Sequence, residues 1–209
     1  MKFDKLLEIV ADEPVFETGL LLAGTVEPTD VRRQLSRWVA AGKVVQLRRG
    51  LYALSPPFRK RIPHPFLVAN RMMRGSYVSC QSALAHHGLI PEYVQEVTSV
   101  TSGRPGRRET PLGRFSFRHL KPSFLSGYRR VSLYEEQEAL VATPEKALLD
   151  LVHLTPGGDA PAYLRELRLD WEGLKVDRLE RFPGSPKIRR AARRIAALTR
   201  DEVGSYETL

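Results

Sequence analysis

PTDVRRQLSRWVAAGKVVQLRRGLYAL, residues 28–54, holds two periodicities in immediate succession. In its first half Val31, Leu35, Trp38, Val39 and Gly42 fall on one stripe at helical spacing, which predicts a helix from Thr29 to Ala41 entered through Pro28 and Thr29. The opposite face carries Arg32, Arg33, Ser36 and Arg37. In the second half Lys43 to Leu47 and Leu51 to Leu54 read as strands on either side of a tight turn at Arg48-Arg49-Gly50. Upstream, Phe3, Leu6, Leu7 and Val10 share a face against Asp4, Lys5 and Glu8, predicting a first helix. After the Glu13-Pro14 break a second short helix is expected from Thr18 to Ala23, closed by Gly24. Three helices followed by a two-stranded hairpin is the order of a winged helix-turn-helix, expected over residues 1–60.

The charge on this segment narrows its partners. From Asp30 to Glu92 no carboxylate intervenes, yet Arg32, Arg33, Arg37, Lys43, Arg48, Arg49, Arg59, Lys60, Arg61, Arg71 and Arg74 all fall there. The whole chain of 209 residues has a formal net charge of +9 and an ordinary hydrophobic fraction of 42%. Such a field concentrates polyanions, favouring nucleic acid over acidic small molecules. No apolar run approaches the roughly 18 residues that span a bilayer, so no membrane partner is expected and a cytoplasmic location is. The single cysteine, Cys80, cannot form an internal disulfide, and it excludes a zinc site built from several thiolates.

Ser55-Pro56-Pro57, Arg59-Lys60-Arg61 and the prolines at 63 and 65 continue neither helix nor strand and mark the linker. Beyond it, residues 61–209 mix element types. Helices are expected from Pro65 to Met73 and from Gln81 to His87 ahead of Gly88. Strands are expected at Tyr77 to Ser79, Glu96 to Thr101, Arg114 to Leu120 and Ala139 to Ala142. Gly103 to Arg108 reads as a loop. On the 114–120 strand, alternation places Phe115, Phe117 and His119 on one face and Arg114, Ser116 and Arg118 on a solvent-exposed other. Thr143-Pro144 is a helix start with a hydroxyl cap and proline at the first helical position. Leu164 to Leu169 and Leu174 to Arg181 look helical. A last helix over Pro186 to Thr199, behind Ser185, has Ile188, Ala191, Ala192, Ile195 and Leu198 on its buried stripe and Arg189, Arg190, Arg193 and Arg194 on its outer ridge. The expected class is α+β: an N-terminal winged helix-turn-helix followed by a mixed α/β C-terminal domain, with 171–209 as a helical extension.

A recognition helix hides one stripe and presents donors to a groove, and arginine reads guanine through paired bonds to O6 and N7. Arg32, Arg33, Ser36 and Arg37 fit that role. Arg48 and Arg49 at the hairpin tip, with Lys43, fit phosphate contacts, and Arg59, Lys60 and Arg61 could track the backbone from the linker. Arg104, Arg107 and Arg108 are candidate secondary nucleic-acid contacts, since their loop lacks the Gly-Lys-Ser/Thr ending of a phosphate-binding P-loop. Gly75-Ser76 is followed by no paired Asp-x-Asp for metal-dependent nucleotidyl transfer. Glu135, Glu136 and Glu138 read as solvated charge.

Cys80, His86 and His87 are ligand and nucleophile types, but the adjacent histidines diverge by about 100° on a helix and no second cysteine or local carboxylate joins them. They read as one core histidine, one at a helix end, and a small buried thiol. Lys146 and Asp150, four apart on one helix, read as ordinary helix support. A binding protein without catalytic residues, cofactor or metal is expected.

Three motifs carry a resemblance: Arg49-Gly50-Leu51-Tyr52; Ser82-Ala83-Leu84-Ala85-His86-His87-Gly88-Leu89; and Ala142-Thr143-Pro144-Glu145-Lys146-Ala147-Leu148-Leu149-Asp150. In this order, across about residues 3 to 170, the chain resembles the AbiEi antitoxin family, the transcriptional-regulator half of abortive-infection type IV toxin–antitoxin systems. The resemblance implies a winged helix that binds inverted repeats of duplex DNA in its own promoter, repressing its operon. It also implies a C-terminal domain that opposes a nucleotidyltransferase-like toxin encoded next door, without requiring a stable complex. Residues 171–209 match no family motif. The extra arginine clusters at 104–108, 114–118 and 189–194 motivate a different reading, an RNA-binding protein that protects or presents a structured RNA.

Overall fold

Leu6 and Val10, one turn apart on helix α1 (Phe3–Val10), are fully buried, and they begin the first of two hydrophobic clusters. The computed structural model describes residues 1–22, 27–179, 182 and 186–206. Strand β1 (Phe16–Glu17), which the sequence pattern does not announce, leads into a short helix α2 (Thr18–Leu21); the expected closure at Gly24 lies outside the described residues. Helix α3 (Pro28–Ala40) buries Val31, Leu35 and Trp38, and β2 (Val44–Arg48) and β3 (Leu51–Leu54) form the hairpin, with Gly50 at φ +82° in its turn. That left-handed conformation favours glycine, which lacks the Cβ that would clash there.

β3 lies between β1 and β2, antiparallel to both, and all four of its residues are buried. Alternation accounts for this. Tyr52 and Leu54 join the cluster of α1, α2 and α3, whereas Leu51 and Ala53, with Leu47 and Val15, join the larger cluster of the C-terminal half. The hairpin is therefore wedged between two cores. Phe58, inside the linker, packs edge-on against Phe3 with centroids 5.0 Å apart, and Phe3 does the same to Trp38 at 5.4 Å.

The C-terminal half comprises α4 (Pro65–Met72), β4 (Tyr77–Val78), α5 (Cys80–His86), β5 (Glu96–Thr101), β6 (Gly106–Thr110), β7 (Gly113–His119), β8 (Tyr128–Ser132), β9 (Glu138–Ala142), α6 (Pro144–Leu154), α7 (Pro161–Glu166), α8 (Val176–Leu179) and α9 (Pro186–Tyr206). Its six strands form one mixed sheet in the order β6-β7-β5-β4-β9-β8, with β4–β9 and β5–β7 parallel and the other pairs antiparallel. The architecture is α+β, a helical N-terminal region followed by a β-rich mixed domain.

Three expectations are corrected here. Gly106 to Arg108 belongs to β6 rather than to a loop, pairing antiparallel with β7. As an edge strand exposed on both faces it carries no apolar alternation, so its sequence gives no strand signal. On β7 Phe115 and Phe117 are buried as expected, but Ser116 is buried too and His119 is exposed, because the middle of this interior strand is covered on both faces. Lys146 and Asp150 are not surface support: every residue of α6 from Glu145 to Val152 is buried.

Thr143 caps α6 as its sequence predicts, its Oγ1 accepting from the Lys146 N–H at 3.4 Å with Pro144 at the first helical position. Thr143→Ala is expected to lower stability by about 1 kcal/mol, measured by urea denaturation. Helix α9 buries Ile188, Ala191, Ala192 and Ile195 against the main core and leaves Arg189, Arg190, Arg193 and Arg194 exposed, so the C-terminal extension completes the core of the second half. Among the described residues no helix is long and apolar enough to cross a membrane.

Candidate nucleic-acid interface

The outward face of α3 follows from its buried stripe. With Val31, Leu35 and Trp38 turned inward, helical geometry leaves Arg32, Arg33, Ser36 and Arg37 on the far side, and all four are exposed. Arg32 and Arg37 have no side-chain partner among the described residues. Arg33 Nη1 lies 3.6 Å from Asp30 Oδ1 in an exposed pair that salt screens and that holds the guanidinium only weakly. Ser36 Oγ donates to the Arg32 carbonyl at 3.0 Å and keeps its acceptor lone pairs for solvent or ligand.

At the hairpin tip the two arginines divide. Arg49 is exposed and its guanidinium has no partner among the described residues. Arg48 turns back toward the protein: Nη1 donates to the Arg49 carbonyl at 3.0 Å, Nη2 donates to the Arg71 carbonyl at 3.2 Å, and Nη2 lies 3.7 Å from Glu17 Oε1. Glu17 in turn accepts from Arg74 Nη2 at 2.5 Å through its other oxygen. Glu17, on β1 beside Leu51, thus ties the hairpin to the loop after α4. The sequence offered no signal for this strut beyond Glu17 itself, an acid whose partners lie 31 and 57 positions away.

Lys43, half-buried, places its Nζ 4.7 Å from the Phe3 ring centroid, a cation–π contact that anchors the start of the hairpin on α1. The linker cations also meet internal partners. Lys60 Nζ pairs with Asp12 at 3.0 Å, and Arg61 reaches the Glu135 carbonyl at 3.2 Å and Glu136 Oε2 at 3.7 Å, while the Arg59 guanidinium has no hydrogen-bonded partner among the described residues. Arg104, Arg107 and Arg108 are exposed on the far edge of the large sheet, with Arg107 Nε 3.6 Å from Glu96. The other edge strand, β8, carries Arg129 and Arg130. Charged edges discourage pairing with another sheet, which gives both arginine pairs a structural use. The structure therefore brings Arg32, Arg33, Ser36 and Arg37 together, leaves Arg49 on the neighbouring hairpin without a side-chain partner among the described residues, and assigns Arg48, Lys43, Lys60 and Arg61 to internal contacts.

Cys80 is buried, and burial, with the Asp150 charge adding to it, pushes its thiol well above the ordinary range, so it is a thiol at neutral pH. His87 bonds the Ala142 carbonyl through Nε2 at 2.8 Å, whereas His86 points to a surface groove. Asp150 accepts from Tyr77 Oη at 2.9 Å and Ser79 Oγ at 2.7 Å and is paired with Lys146. Burial raises the Asp150 carboxyl, and Lys146, Ser79 and Tyr77 pull it back.

No family model matches the chain, and no curated protein matches it. Its fold is similar to the crystal structure of the RV2827C protein from Mycobacterium tuberculosis, with a TM-score of 0.51 and 19% sequence identity over 95% of this chain and 75% of that one. At that identity the likeness concerns the fold alone.

Proposed function

We propose that residues 1–60 form a winged helix-turn-helix that binds duplex DNA sequence-specifically, and that the protein is an antitoxin-type repressor of its own operon. The carrying observation is an exposed donor face on α3, where Arg32 and Arg37 have no side-chain partner among the described residues, beside an Arg49 on the adjacent hairpin whose guanidinium also has none among them. A major groove admits a helix, Arg33 and Arg37 would reach base edges, and Arg49 would meet phosphate. The antitoxin half of the reading rests on the resemblance to the AbiEi family. In support, two of its motifs meet in space: α5, which carries Ser82 to His86, packs on α6, which carries Pro144 to Asp150.

Footprinting the region upstream of the gene with purified protein at moderate salt is expected to show protection of an inverted repeat. A folded protein that protects nothing there would overturn the reading. Co-expression with a nucleotidyltransferase-like neighbour is expected to restore growth, and continued toxicity would remove the antitoxin role while leaving the repressor role standing.

A further inference from the structure

A groove of about 510 Å³ opens beside α5, and rings make up half of its lining: His64, Phe66, His86 and Tyr93, with Pro65 and Pro91, the rest being mainly aliphatic. Phe66 stands edge-on to His64 at 5.0 Å and to His86 at 5.4 Å, and His64 lies 4.9 Å from Tyr134, so the rings continue outward from the groove as a strip. Tyr93, on the loop between α5 and β5, is 88% exposed, more than any other large hydrophobic side chain described. Its side chain has no ring or hydrogen-bond partner among the described residues. An exposed ring on the lining of a groove that holds other rings offers a stacking surface at little entropic cost, since only two torsions must be fixed.

The charge around the groove completes the case. Glu92, the one carboxylate among the described residues of its wall, is paired with Arg168 through bonds of 2.8 and 3.2 Å. Arg129 stands close enough to His86 to add to the lowering that burial and His87 impose on that imidazole, and burial lowers His64 as well. Both rings are therefore neutral at neutral pH; His64 Nδ1 already accepts from the Phe66 N–H at 3.0 Å, which leaves its Nε2 as a donor, while His86 keeps an acceptor nitrogen. Within a chain of net charge +9, this is an aromatic groove whose wall carboxylate is paired with Arg168. Duplex bases, stacked and paired, cannot enter it, whereas unpaired ones can.

We infer that this groove binds unpaired nucleotides of single-stranded RNA, with a base stacked between Tyr93 and the His86–Phe66 wall and the backbone passing Arg129 and Arg168. RNA is the occupant because Glu92 Oε2, which the Arg168 bonds leave unused, and the neutral His86 imidazole supply acceptors that a 2′-hydroxyl can donate to and deoxyribose cannot. The inference is independent of duplex binding through α3.

Fluorescence anisotropy with an unstructured oligoadenylate of about twelve nucleotides tests it, a length within the span single-strand binders cover. The wild type is expected to bind it and to bind the deoxy strand more weakly. Tyr93→Ala is expected to lower RNA affinity about tenfold or more, the loss of one base–aromatic stack, while Tyr93→Phe retains it. Tyr93 is exposed, so its removal leaves the core intact, and binding of the upstream duplex by Tyr93→Ala should be unchanged. Equal RNA affinity in Tyr93→Ala would overturn the site, and equal affinity for the deoxy strand would overturn the assignment to RNA. Loss of duplex binding in Tyr93→Ala would show the groove to be part of the duplex interface and overturn its separate role.

Discussion

Asp150→Ala is expected to destabilise the protein by about 3–5 kcal/mol, the loss seen when one partner of a buried ion pair is removed. Asp150 and Lys146 are 2% and 5% exposed at their side chains. Removing the carboxylate leaves Lys146 charged and buried and deprives the Tyr77 and Ser79 hydroxyls of their acceptor. These groups join α6 to β4 and to the entry of α5, where Cys80 holds φ +54°, so the loss reaches three elements at once. Urea unfolding at neutral pH measures it. A change below 1 kcal/mol would mean that the pair is dispensable to the core. Lys146→Met leaves the opposite orphan. With the ammonium gone, burial is opposed only by the Tyr77 and Ser79 hydroxyls, and the folded pKa of Asp150, already raised in the wild type, should stand further above the unfolded value near 3.9. A carboxyl raised in the folded state binds more protons than the unfolded chain between those two values. Stability of Lys146→Met should then fall as pH rises from about 4 and level off above the folded pKa. The double replacement Lys146→Met with Asp150→Leu is expected to be less damaging than Asp150→Ala, because it removes both buried charges together.

That pair also marks where sequence reasoning stops. A Lys and an Asp four apart look the same on a surface helix and on a central one, and the lone sign of burial is the apolar run Ala147-Leu148-Leu149 between them. Where one face decides, the sequence was legible: Val31, Leu35 and Trp38 specify α3, Thr143-Pro144 starts α6, and Ile188, Ala191, Ala192 and Ile195 orient α9. Where pairing decides, it was not. β6 and β8 are exposed edge strands whose residues satisfy no pattern of their own, and they are strands because β7 and β9 offer them partners. The parallel pairing of β5 with β7 is equally silent, since it depends on β6 making the intervening edge hairpin.

The same division runs through the candidate interface. Exposure of Arg32, Arg33, Ser36 and Arg37 follows from the helix period alone. The fate of Arg48 does not, because nothing local distinguishes it from Arg49. The tie from Arg48 to Glu17 and Arg71 is a long-range contact, and it arises because the hairpin buries Leu51 and Ala53 in the second core. Burying that face turns one tip arginine inward and leaves its neighbour outside. The hairpin and the C-terminal half therefore form a continuous packed unit through β3.

Arg33→Ala and Arg37→Ala are each expected to weaken binding to the operator by about 1–3 kcal/mol, the value of a bidentate arginine–guanine contact, and to relax sequence preference at the base pair each one reads. Binding to unrelated duplex should change little by comparison. Arg49→Ala is expected to act differently. It should weaken binding to operator and unrelated duplex alike and flatten the dependence of log affinity on log salt by about 0.9, one phosphate contact. Arg48 separates the two tip residues. Its guanidinium is engaged by Glu17 and the Arg71 carbonyl, so Arg48→Ala should leave the salt slope as it is and lower the unfolding midpoint instead. Electrophoretic shifts over a salt series, with operator and scrambled duplex in parallel, resolve all four variants. If Arg33→Ala and Arg37→Ala reduced affinity for both duplexes equally, α3 would be touching phosphate and base readout would have to come from another element. If Arg48→Ala flattened the slope as much as Arg49→Ala, the strut would have to open on DNA, releasing Glu17 to Arg74 alone.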